Sequence, residues 1–432
     1  MPVSLVLDFR TADLRTRERF HLGEERAAAL YAEPVPEPLS ELVVVSTCNR
    51  VEVYGAAETR APDSVARASH ALARLWTEGD DARGRDLLRA ASVRAGPDAA
   101  RHLLRVASGL ESQVLGDVQV LGQVRRAYRA AAESGAAGPV LHRLFETALR
   151  AGKRVVAETS LSGMRHSVGT EAAVLASRRL GPLDTLRCVI VGCGKTGEHA
   201  ARRLAKLGAG EIVLVNRSPG RAVELAAEVG GRAAPWETLH QELARADAAL
   251  VATAADVPPV RAASLAHCRR AAGRDARPLL VLDLAMPRNV EPEVAGLDGV
   301  TLLDLDALRI PLSSAEEARR DAIPAAERIV DAEVARFAAW HGESAARHAV
   351  APLREALEEV CRRELAFTAG PDAGRAAQRI VAKLLARPMA TLRAASARGE
   401  PLDAATDLLR SLFSPTSAAA PEIEAERPRL AS

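Results

Sequence analysis

Residues 187–197 read RCVIVGCGKTG, an apolar run that is followed directly by three glycines in the spacing G-x-G-x-x-G. Such glycines let the chain turn tightly and let its backbone approach a pyrophosphate, which then lies at the N-terminus of the next helix. Between a strand and a helix, this spacing predicts a dinucleotide-binding loop. The candidate cofactor-binding residues of the loop are Gly192, Gly194, Lys195, Thr196 and Gly197.

The end of the next apolar run bears on the choice of cofactor. EIVLV at 211–215 is followed by Asn216, Arg217 and Ser218. An acidic residue at this point accepts a hydrogen bond from the ribose 2′-hydroxyl of NAD, whereas an arginine suits a 2′-phosphate. The sequence therefore favours NADPH over NADH and adds these three residues to the cofactor-binding candidates.

Strand-like and helical segments alternate on both sides of the loop. The apolar runs lie at 187–192, 211–216, 248–253, 279–285 and 301–305. Nearly continuous apolar strands are typical of a parallel sheet that is covered on both faces. We therefore predict an α/β Rossmann-type NADPH domain over residues 166–311.

A cysteine stands out upstream, in LVVVSTCNRVEVYG at 42–55. Two strand-like runs flank a short connection, so Cys48 would lie on a rigid support. A thiol reacts as its thiolate, which requires a nearby cation or base. Arg50 is a candidate for that cation or for binding an anionic substrate. Taken alone, such a cysteine is more often a small buried hydrophobe.

The rest of residues 1–165 becomes largely helical after its first strands, which predicts an α+β domain. His102, Arg105, Gly109 and Ser112 follow a helical spacing and are predicted to share one side of a helix. Taken alone, a histidine such as His102 is more often a structural one. Three glutamines follow, which would orient a polar substrate or line a helix exterior: Gln113, Gln119 and Gln123.

A basic face is predicted further along, where Arg143, Arg150 and Arg154 recur at helical spacing. It is the best local patch for a phosphate backbone, although such faces are usually solvated. The formal net charge of the whole chain is only +2, from 58 basic and 56 acidic side chains. Any contact with nucleic acid must therefore come from a local patch.

The remaining chain is predicted to be helical. Ser313 and Ser314 with Glu316 and Glu317 form two overlapping capping boxes. An apolar stripe then runs to Phe337, which predicts a long spine helix that Pro324 kinks or splits. We predict an all-helical dimerisation domain over 312–414, with packing onto its own chain as the alternative, and a disordered tail over 415–432.

Length and composition limit the class of protein. At 432 residues the chain is long enough for about three domains. Its 5 cysteines are scattered and form no C-x-x-C pair, which argues against a disulfide framework and a structural zinc site and favours a cytoplasmic location. The N-terminus is unlike a signal peptide, and we identify no membrane-spanning run.

A cysteine nucleophile and a separate NADPH domain together narrow the chemistry. Delivery of a hydride to a thioester gives an aldehyde. An activated acyl group is therefore the expected substrate. A dehydrogenase for a small free metabolite is disfavoured, because ordinary dehydrogenases need no nucleophilic cysteine.

With these motifs in order, the chain resembles the glutamyl-tRNA reductase family over about residues 42–410. The segments that carry the resemblance are STCNRVEVYG (46–55), HLLRVASGLESQVLGDVQVLGQV (102–124), AGKRVVAET (151–159), VGCGKTG (191–197), NRS (216–218), DLAMPRNVEP (283–292) and KLLARP (383–388). The resemblance implies a V-shaped homodimer with a catalytic, an NADPH and a helical dimerisation domain.

The resemblance also implies the reaction. Cys48 would attack the ester carbonyl of glutamyl-tRNA to give a thioester, and hydride from NADPH would release glutamate-1-semialdehyde. This is the first step of 5-aminolevulinate and tetrapyrrole (porphyrin, haem) synthesis, and it suggests handover to glutamate-1-semialdehyde aminomutase. The implied site residues are catalytic Cys48 and His102, with Thr47, Arg50, Glu52, Ser112 and Gln123 binding substrate.

The chain departs from the family pattern near its start. The family usually begins with Gly-x-x-His-x-x-Ala-Pro, whereas this chain has Val6, Phe9 and Asp13 at the glycine, histidine and proline positions. Asp117 and Val118 also replace a common Glu-Pro pair. These departures motivate an alternative, a catalytically weakened paralogue that acts as a tRNA-binding or regulatory scaffold.

Overall fold

The computed structural model describes residues 1–57, 63–162, 167–255, 257–274, 277–308, 314–366 and 373–413. Two compact units divide the chain, residues 1–337 and 338–432. The predicted disordered tail at 415–432 lies outside the described residues. The predicted boundaries at 165 and 311 fall inside the first unit and remain predictions.

The structure places strands and helices as follows. The strands are β1 Pro2–Asp8, β2 Leu39–Thr47, β3 Arg50–Ala57, β4 Ser92–Ala95, β5 Arg187–Val191, β6 Glu211–Val215, β7 Arg232–Ala234, β8 Ala248–Val251, β9 Leu279–Asp283 and β10 Val300–Leu303. The helices are α1 Leu14–Arg19, α2 Glu24–Ala32, α3 Ser64–Trp76, α4 Asp81–Ala90, α5 Gly96–Ala107, α6 Gln119–Glu133, α7 Pro139–Glu158, α8 Val168–Leu180, α9 Lys195–Lys206, α10 Pro219–Val229, α11 Leu239–Ala244, α12 Ala262–Ala271, α13 Ser314–Ala366, α14 Ala373–Ala397 and α15 Asp403–Phe413.

The first sheet is antiparallel, with the strand order β2-β3-β1-β4. β2 and β3 form a hairpin in which Thr47 faces Arg50 across the turn. The residues of β1 and β3 are buried throughout, so both faces of these strands are covered. This sheet confirms the predicted α+β architecture. β4 was not predicted, because its four residues, SVRA, carry too little apolar pattern.

The second sheet is parallel, with the strand order β10-β9-β8-β5-β6-β7. This order reverses direction next to β5, as it does in doubly wound nucleotide-binding folds. Alternate residues of β5 belong to opposite apolar layers, Cys188 and Ile190 to one and Val189 and Val191 to the other. The predicted Rossmann-type sheet is confirmed, and Cys188 is a buried apolar side chain within it.

The prediction that residues from His102 to Ser112 share one side of a helix is wrong. α5 ends at Ala107, and Gly109 has a φ of 74°, a left-handed conformation that interrupts a helix. A Cβ atom on Gly109 would also lie 3.1 Å from backbone atoms of Gly116. The chain turns back here, so Ser112 lies in the segment between α5 and α6.

The predicted spine is α13, which is 53 residues long. Its first half buries Ala326, Val330 and Phe337, as the apolar stripe predicts. The helix is continuous through Pro324, so the predicted splitting of its first turns does not occur. A proline cannot donate to the carbonyl group four residues earlier, here that of Arg320, and both Arg320 and Pro324 are exposed.

The predicted basic face of α7 is occupied by ion pairs within the chain. Arg150 Nε and Arg154 Nη1 donate to the carboxylate of Glu333 on α13, at 2.9 and 3.1 Å. Arg336 Nη1 donates to the same carboxylate at 3.1 Å. Two arginines of this face therefore hold the spine helix, and the interpretation of the face as a phosphate-binding patch does not fit their positions.

The second unit contains a small apolar cluster of its own. Val350, Val381 and Leu385 are buried in it. Ile380 and Leu384 of α14 are instead 53% and 56% exposed. These two side chains lie four residues apart and so share one helix face.

Replacement of Glu333 by glutamine tests the contact between α7 and α13. Glu333 is fully buried, and its pKa is lowered because Arg150 and Arg154 outweigh the effect of burial. We expect E333Q to lower the free energy of unfolding by about 1 to 3 kcal/mol near pH 7, less than for a fully buried pair because the arginines are partly exposed.

Chemical denaturation at several pH values provides the measurement. The difference between the wild-type protein and E333Q should shrink as the pH falls through the lowered pKa of Glu333, because the carboxylate then becomes neutral in both states. E343Q, at an exposed position of the same helix, is the control. Equal stability of E333Q and the wild type at pH 7 would contradict this account.

Candidate active site and nucleotide cavity

Cys48 and Asn49 form the turn between β2 and β3. Asn49 N donates to Thr47 Oγ1 at 3.2 Å, and Phe9 N donates to the Asn49 carbonyl at 3.1 Å. The turn is therefore tied both to the preceding strand and to the end of β1. This structure gives Thr47 a role in the shape of the turn, and its predicted contact with substrate remains a prediction.

The carboxylate of Glu52 is the centre of a buried network beside the turn. It accepts hydrogen bonds from Arg50 Nη1 at 2.8 Å and from Tyr54 Oη at 2.6 Å, and its Oε1 lies 2.9 Å from His102 Nε2. Glu52 is fully buried, and burial opposes ionisation. His102 and Arg50 outweigh burial and hold the pKa of this carboxyl group well below its usual range.

Arg50 is bound within the same network. Its side chain is 1% exposed, and besides Glu52 it donates to the carbonyl of Glu111. Glu111 in turn pairs with Arg105 of α5 and with Arg10, and Arg105 pairs with Glu327 of α13. A chain of charged groups thus connects the spine helix with the strand that carries Arg50.

Sequence reasoning missed Glu111, although it lies in the same segment as the predicted Ser112. Ser112 itself is partly exposed, and its N–H donates to the Gly109 carbonyl at 3.4 Å. His102 is 3% exposed and faces Glu52. Among the described residues we find no hydrogen bond from His102 to Cys48, so the role of His102 in proton transfer remains a prediction.

Cys48 is a partly exposed residue that packs against the apolar cluster of the parallel-sheet region. Burial raises the pKa of the Cys48 thiol to about 11, and the nearby carboxylate of Asp117 adds to the increase, while Arg17 and Arg50 oppose it. Burial also raises the pKa of Asp117, to about 6. Arg50 lowers the pKa of the thiol by less than burial raises it, and its guanidinium group also pairs with Glu52, so activation of the thiol by Arg50 stays a prediction.

The altered N-terminal stretch fits its surroundings. Val6 is 1% exposed and pairs with Glu52 in the register of β1 and β3. Asp13 caps α1 by accepting a hydrogen bond from Thr16 N at 2.8 Å. Two of the three departures from the family pattern therefore stabilise local structure in this chain.

A cavity of about 650 Å³ opens at the carboxyl end of β5. Seven of the eight predicted cofactor-binding residues line it: Gly192, Gly194, Lys195, Thr196, Asn216, Arg217 and Ser218. Gln123 of α6 also lines the cavity, so this predicted substrate residue lies near the cofactor loop. Cys48 is not among the described residues that line the cavity.

The glycine loop has the shape that a dinucleotide requires. A Cβ atom on Gly197 would lie 1.9 Å from the Gly192 carbonyl, which shows how closely α9 packs on the loop. At Gly194 a Cβ atom would meet nothing within 4 Å and would enter the cavity instead. Asn216 holds the loop, since its Oδ1 accepts a hydrogen bond from Cys193 N at 3.1 Å. The residues therefore fit a pyrophosphate on the loop.

Three arginines surround the cavity, of which the sequence identified only Arg217. Arg126 of α6 and Arg221 of α10 also line it, and all three are exposed. Arg126 lies three residues after Gln123 and so shares its helix face, which is the signal that would have identified it. A positively charged wall of this kind suits a ligand with several phosphates.

The strand order, the glycine loop and the arginine-lined cavity together define a dinucleotide-binding protein of the dehydrogenase type, to which a domain with a cysteine in a strand turn is attached. Three family models match the chain in order. Residues 5–159 match the glutamyl-tRNA reductase N-terminal domain, residues 174–310 match shikimate/quinate 5-dehydrogenase, and residues 325–415 match the glutamyl-tRNA reductase dimerisation domain.

Similar proteins agree with these matches. The glutamyl-tRNA reductase of Rubrobacter xylanophilus is 36% identical over 94% of this chain and 95% of its own length. The glutamyl-tRNA reductase of Syntrophotalea carbinolica is 37% identical over 90% of this chain and 89% of its own length. The solved structure of the Methanopyrus kandleri glutamyl-tRNA reductase is 32% identical, covers 94% of this chain and 99% of its own, and has a TM-score of 0.50. The chain belongs to the glutamyl-tRNA reductase family.

Family membership confirms the predicted three-part architecture. The match at 174–310 supports a pyridine nucleotide as cofactor, and the match at 325–415 supports a homodimer. No helix among the described residues is long and apolar enough to span a membrane.

The raised pKa of Cys48 predicts a particular pH profile for its alkylation. In the absence of substrate, the rate of reaction with iodoacetamide should rise about tenfold per pH unit from pH 7 to pH 9, because the thiolate fraction grows in that proportion below a pKa of about 11. Mass spectrometry of the peptide that contains Cys48 measures the rate.

The same chain in denaturant is the matched control. Its Cys48 should titrate as an ordinary thiol, with a pKa of about 8.5. A rate that levels off below pH 8 in the folded protein would contradict the effect of burial.

Proposed function

We propose that the protein reduces glutamyl-tRNA to glutamate-1-semialdehyde with NADPH and releases tRNA, as the first step of 5-aminolevulinate and tetrapyrrole synthesis. The observation that carries the proposal is the position of Cys48. It occupies a two-residue turn whose backbone is held from two sides, in a chain that also contains a dinucleotide-binding cavity. A nucleophile on a fixed support and a separate hydride donor suit reduction through an acyl intermediate.

In the first step the Cys48 thiolate attacks the ester carbonyl carbon of glutamyl-tRNA. A carbon–sulfur bond forms, the bond to the ribose oxygen breaks, and that oxygen takes a proton as tRNA leaves. When bound, NADPH would supply a hydride to the carbonyl carbon of the thioester. The carbon–sulfur bond breaks as the carbonyl group re-forms, so the aldehyde is released and Cys48 returns to the thiolate.

The raised pKa of free Cys48 gives this step a requirement. Few thiols are ionised at neutral pH, so a base must take the proton when substrate is present. We assign this proton transfer to His102, as the resemblance to the family implies. The carboxylate of Asp117 acts on Cys48 through its charge, which favours the protonated thiol.

Recognition of the glutamyl side chain is assigned to Arg50 in this proposal. The side-chain carboxylate is the one carboxylate that remains free in glutamyl-tRNA, and a guanidinium group binds carboxylates through two hydrogen bonds. Arg50 is held by Glu52 and by the Glu111 carbonyl. Substrate would therefore have to share the guanidinium with these partners, and Thr47, Ser112 and Gln123 would bind other groups of the substrate.

We propose NADPH as the nucleotide because Arg217 follows β6 where NAD-binding folds place an acid. The residues that would hold it are Gly192, Gly194, Lys195, Thr196, Asn216, Arg217 and Ser218, with Gly197 shaping the loop. Arg221 and Arg126 would add positive charge. We also propose a cytoplasmic enzyme that passes its reactive aldehyde to glutamate-1-semialdehyde aminomutase.

Replacement of Cys48 by serine tests the proposed reaction. With labelled glutamyl-tRNA and NADPH, we expect the wild-type protein to form the semialdehyde and C48S to lose activity by at least about 100-fold, because a serine hydroxyl is a far weaker nucleophile. C268S, on α12 and also partly exposed, is the control that should retain activity.

The same assay separates the alternatives. A scaffold would bind tRNA without turnover, and a small-molecule dehydrogenase would reduce free glutamate derivatives that lack tRNA. Aldehyde formation by C48S at the wild-type rate would remove Cys48 from the mechanism.

Replacement of Arg217 by glutamine tests the choice of cofactor. We expect the Kd for NADPH to rise about tenfold and the Kd for NADH to change by less than about twofold. The reason is that the lost charge would contact the 2′-phosphate, which NADH lacks. Titration calorimetry measures both. R179Q, at an exposed position on α8, is the control. Equal weakening of both nucleotides would contradict the assignment.

A further inference from the structure

The short helix α1 connects the two sheets of the first unit. It follows β1, yet Leu14 at its start is 3% exposed and packs in the apolar cluster of the parallel-sheet region. Leu14 N donates to Asp306 Oδ2 at 2.9 Å. At the other end of the helix, Glu18 accepts hydrogen bonds from Arg288 Nε at 2.9 Å. Both ends of α1 are therefore fixed to loops that follow the last strands of the parallel sheet.

Arg17 of this helix is fully buried, and it reaches the nucleophile. Its Nη1 donates to the carbonyl oxygen of Cys48 at 3.1 Å. Its Nη2 pairs with Asp306 Oδ1. Asp306 belongs to the helical turn Leu305–Leu308 after β10, and the neighbouring Leu305 carbonyl accepts a hydrogen bond from Gln113 Nε2 at 2.7 Å. One guanidinium group thus joins the turn that carries Cys48 to the nucleotide-binding region.

We propose that Arg17 is a positioning residue for Cys48, which fixes the turn relative to the nucleotide-binding region through Asp306 and places a positive charge beside the thiolate. The inference rests on the proposed function. With the Asn49 carbonyl bound by Phe9 N and the Cys48 carbonyl bound by Arg17, both carbonyl groups of the turn are held. The position of the Cys48 backbone is then set before substrate binds.

The charged groups that act on Cys48 come from three elements. Arg17 lies on α1, Arg50 on β3, and Asp117 between α5 and α6. Arg17 opposes the raised pKa of the thiol more strongly than Arg50 does. The two arginines also differ in their partners, because Glu52 is fully buried beside Arg50 whereas Asp306 is 25% exposed. Water screens the exposed carboxylate, so more of the charge of Arg17 acts on the thiolate.

Two variants and a matched control test the proposal in the full-length protein. R17Q removes the charge, and D306N removes the ion pair that anchors Arg17 while it keeps Arg17 itself. R269Q is the control, since Arg269 is also buried, at 2% exposed, and also donates to backbone carbonyls, those of Arg277 and Asp298, within the parallel-sheet region. Circular dichroism and thermal denaturation show whether each variant folds.

The first measurement is the rate of iodoacetamide alkylation of Cys48 at pH 8, which needs no substrate. We expect R17Q to react about tenfold more slowly than wild type, because loss of an opposite charge raises a thiol pKa by about one unit. D306N and R269Q should stay within about twofold of wild type, because both keep the charge of Arg17.

The second measurement is single-turnover formation of aldehyde from glutamyl-tRNA and NADPH. We expect the rate of aldehyde formation to fall about tenfold in R17Q and in D306N and to stay unchanged in R269Q. If folded R17Q is alkylated at Cys48 as fast as the wild-type protein, the proposal is overturned. If R17Q does not fold, the proposal is overturned when D306N forms aldehyde as fast as the wild-type protein. Failure of the wild-type protein to form aldehyde, with slower alkylation in R17Q, would reject the proposed function and leave the role of Arg17 standing.

Discussion

The buried carboxylate of Glu52 constrains the whole neighbourhood of the nucleophile. Burial of an ionised carboxyl group without partners costs on the order of several kcal/mol, so donors must surround it. Arg50, Tyr54 and His102 lie around it, from the same strand and from α5. Their positions fix how α5 packs on the sheet and hold β3 where the turn of Cys48 begins. Through Glu111, Arg105 and Glu327 the constraint extends to the spine helix.

The nucleophile and the cofactor loop are carried by different sheets of the first unit. The turn with Cys48 is held by the antiparallel sheet, and the cavity is built at the carboxyl ends of parallel strands. Reduction of an acyl group requires the two to meet in a defined geometry. α1 and Gln113 make the contacts that relate one region to the other, so residues far from Cys48 in sequence hold the backbone of its turn.

Much of the fold could be predicted because its signals are local. The buried parallel strands are continuous apolar runs, and the loop after β5 requires glycines that a sequence displays directly. Arg50, Glu52 and Tyr54 alternate along one strand, so they point to one face. That pattern alone could have indicated that Arg50 and Glu52 pair with each other. The end of α5 depends on the left-handed Gly109, which helical spacing by itself does not reveal.

Other features depend on contacts between distant parts of the chain. Glu333 meets Arg154, which is 179 residues away in sequence, and so the basic face of α7 looked free in the sequence. Arg17 meets Asp306 at a separation of 289 residues. The raised pKa of Cys48 could also not be predicted from the sequence, because it depends on burial by the apolar cluster and on the charge of Asp117. In each case the residue types were visible, but their partners were set by tertiary packing.

The central claim is that Cys48 captures the glutamyl group before reduction. Its most direct test is to mix the protein with glutamyl-tRNA in the absence of NADPH, quench at acidic pH and analyse the digested protein by mass spectrometry. We expect the peptide that contains Cys48 to carry one glutamyl group, which hydroxylamine removes as it removes thioesters. Release of tRNA without a modified Cys48 peptide, or a glutamyl group on another residue, would contradict the account.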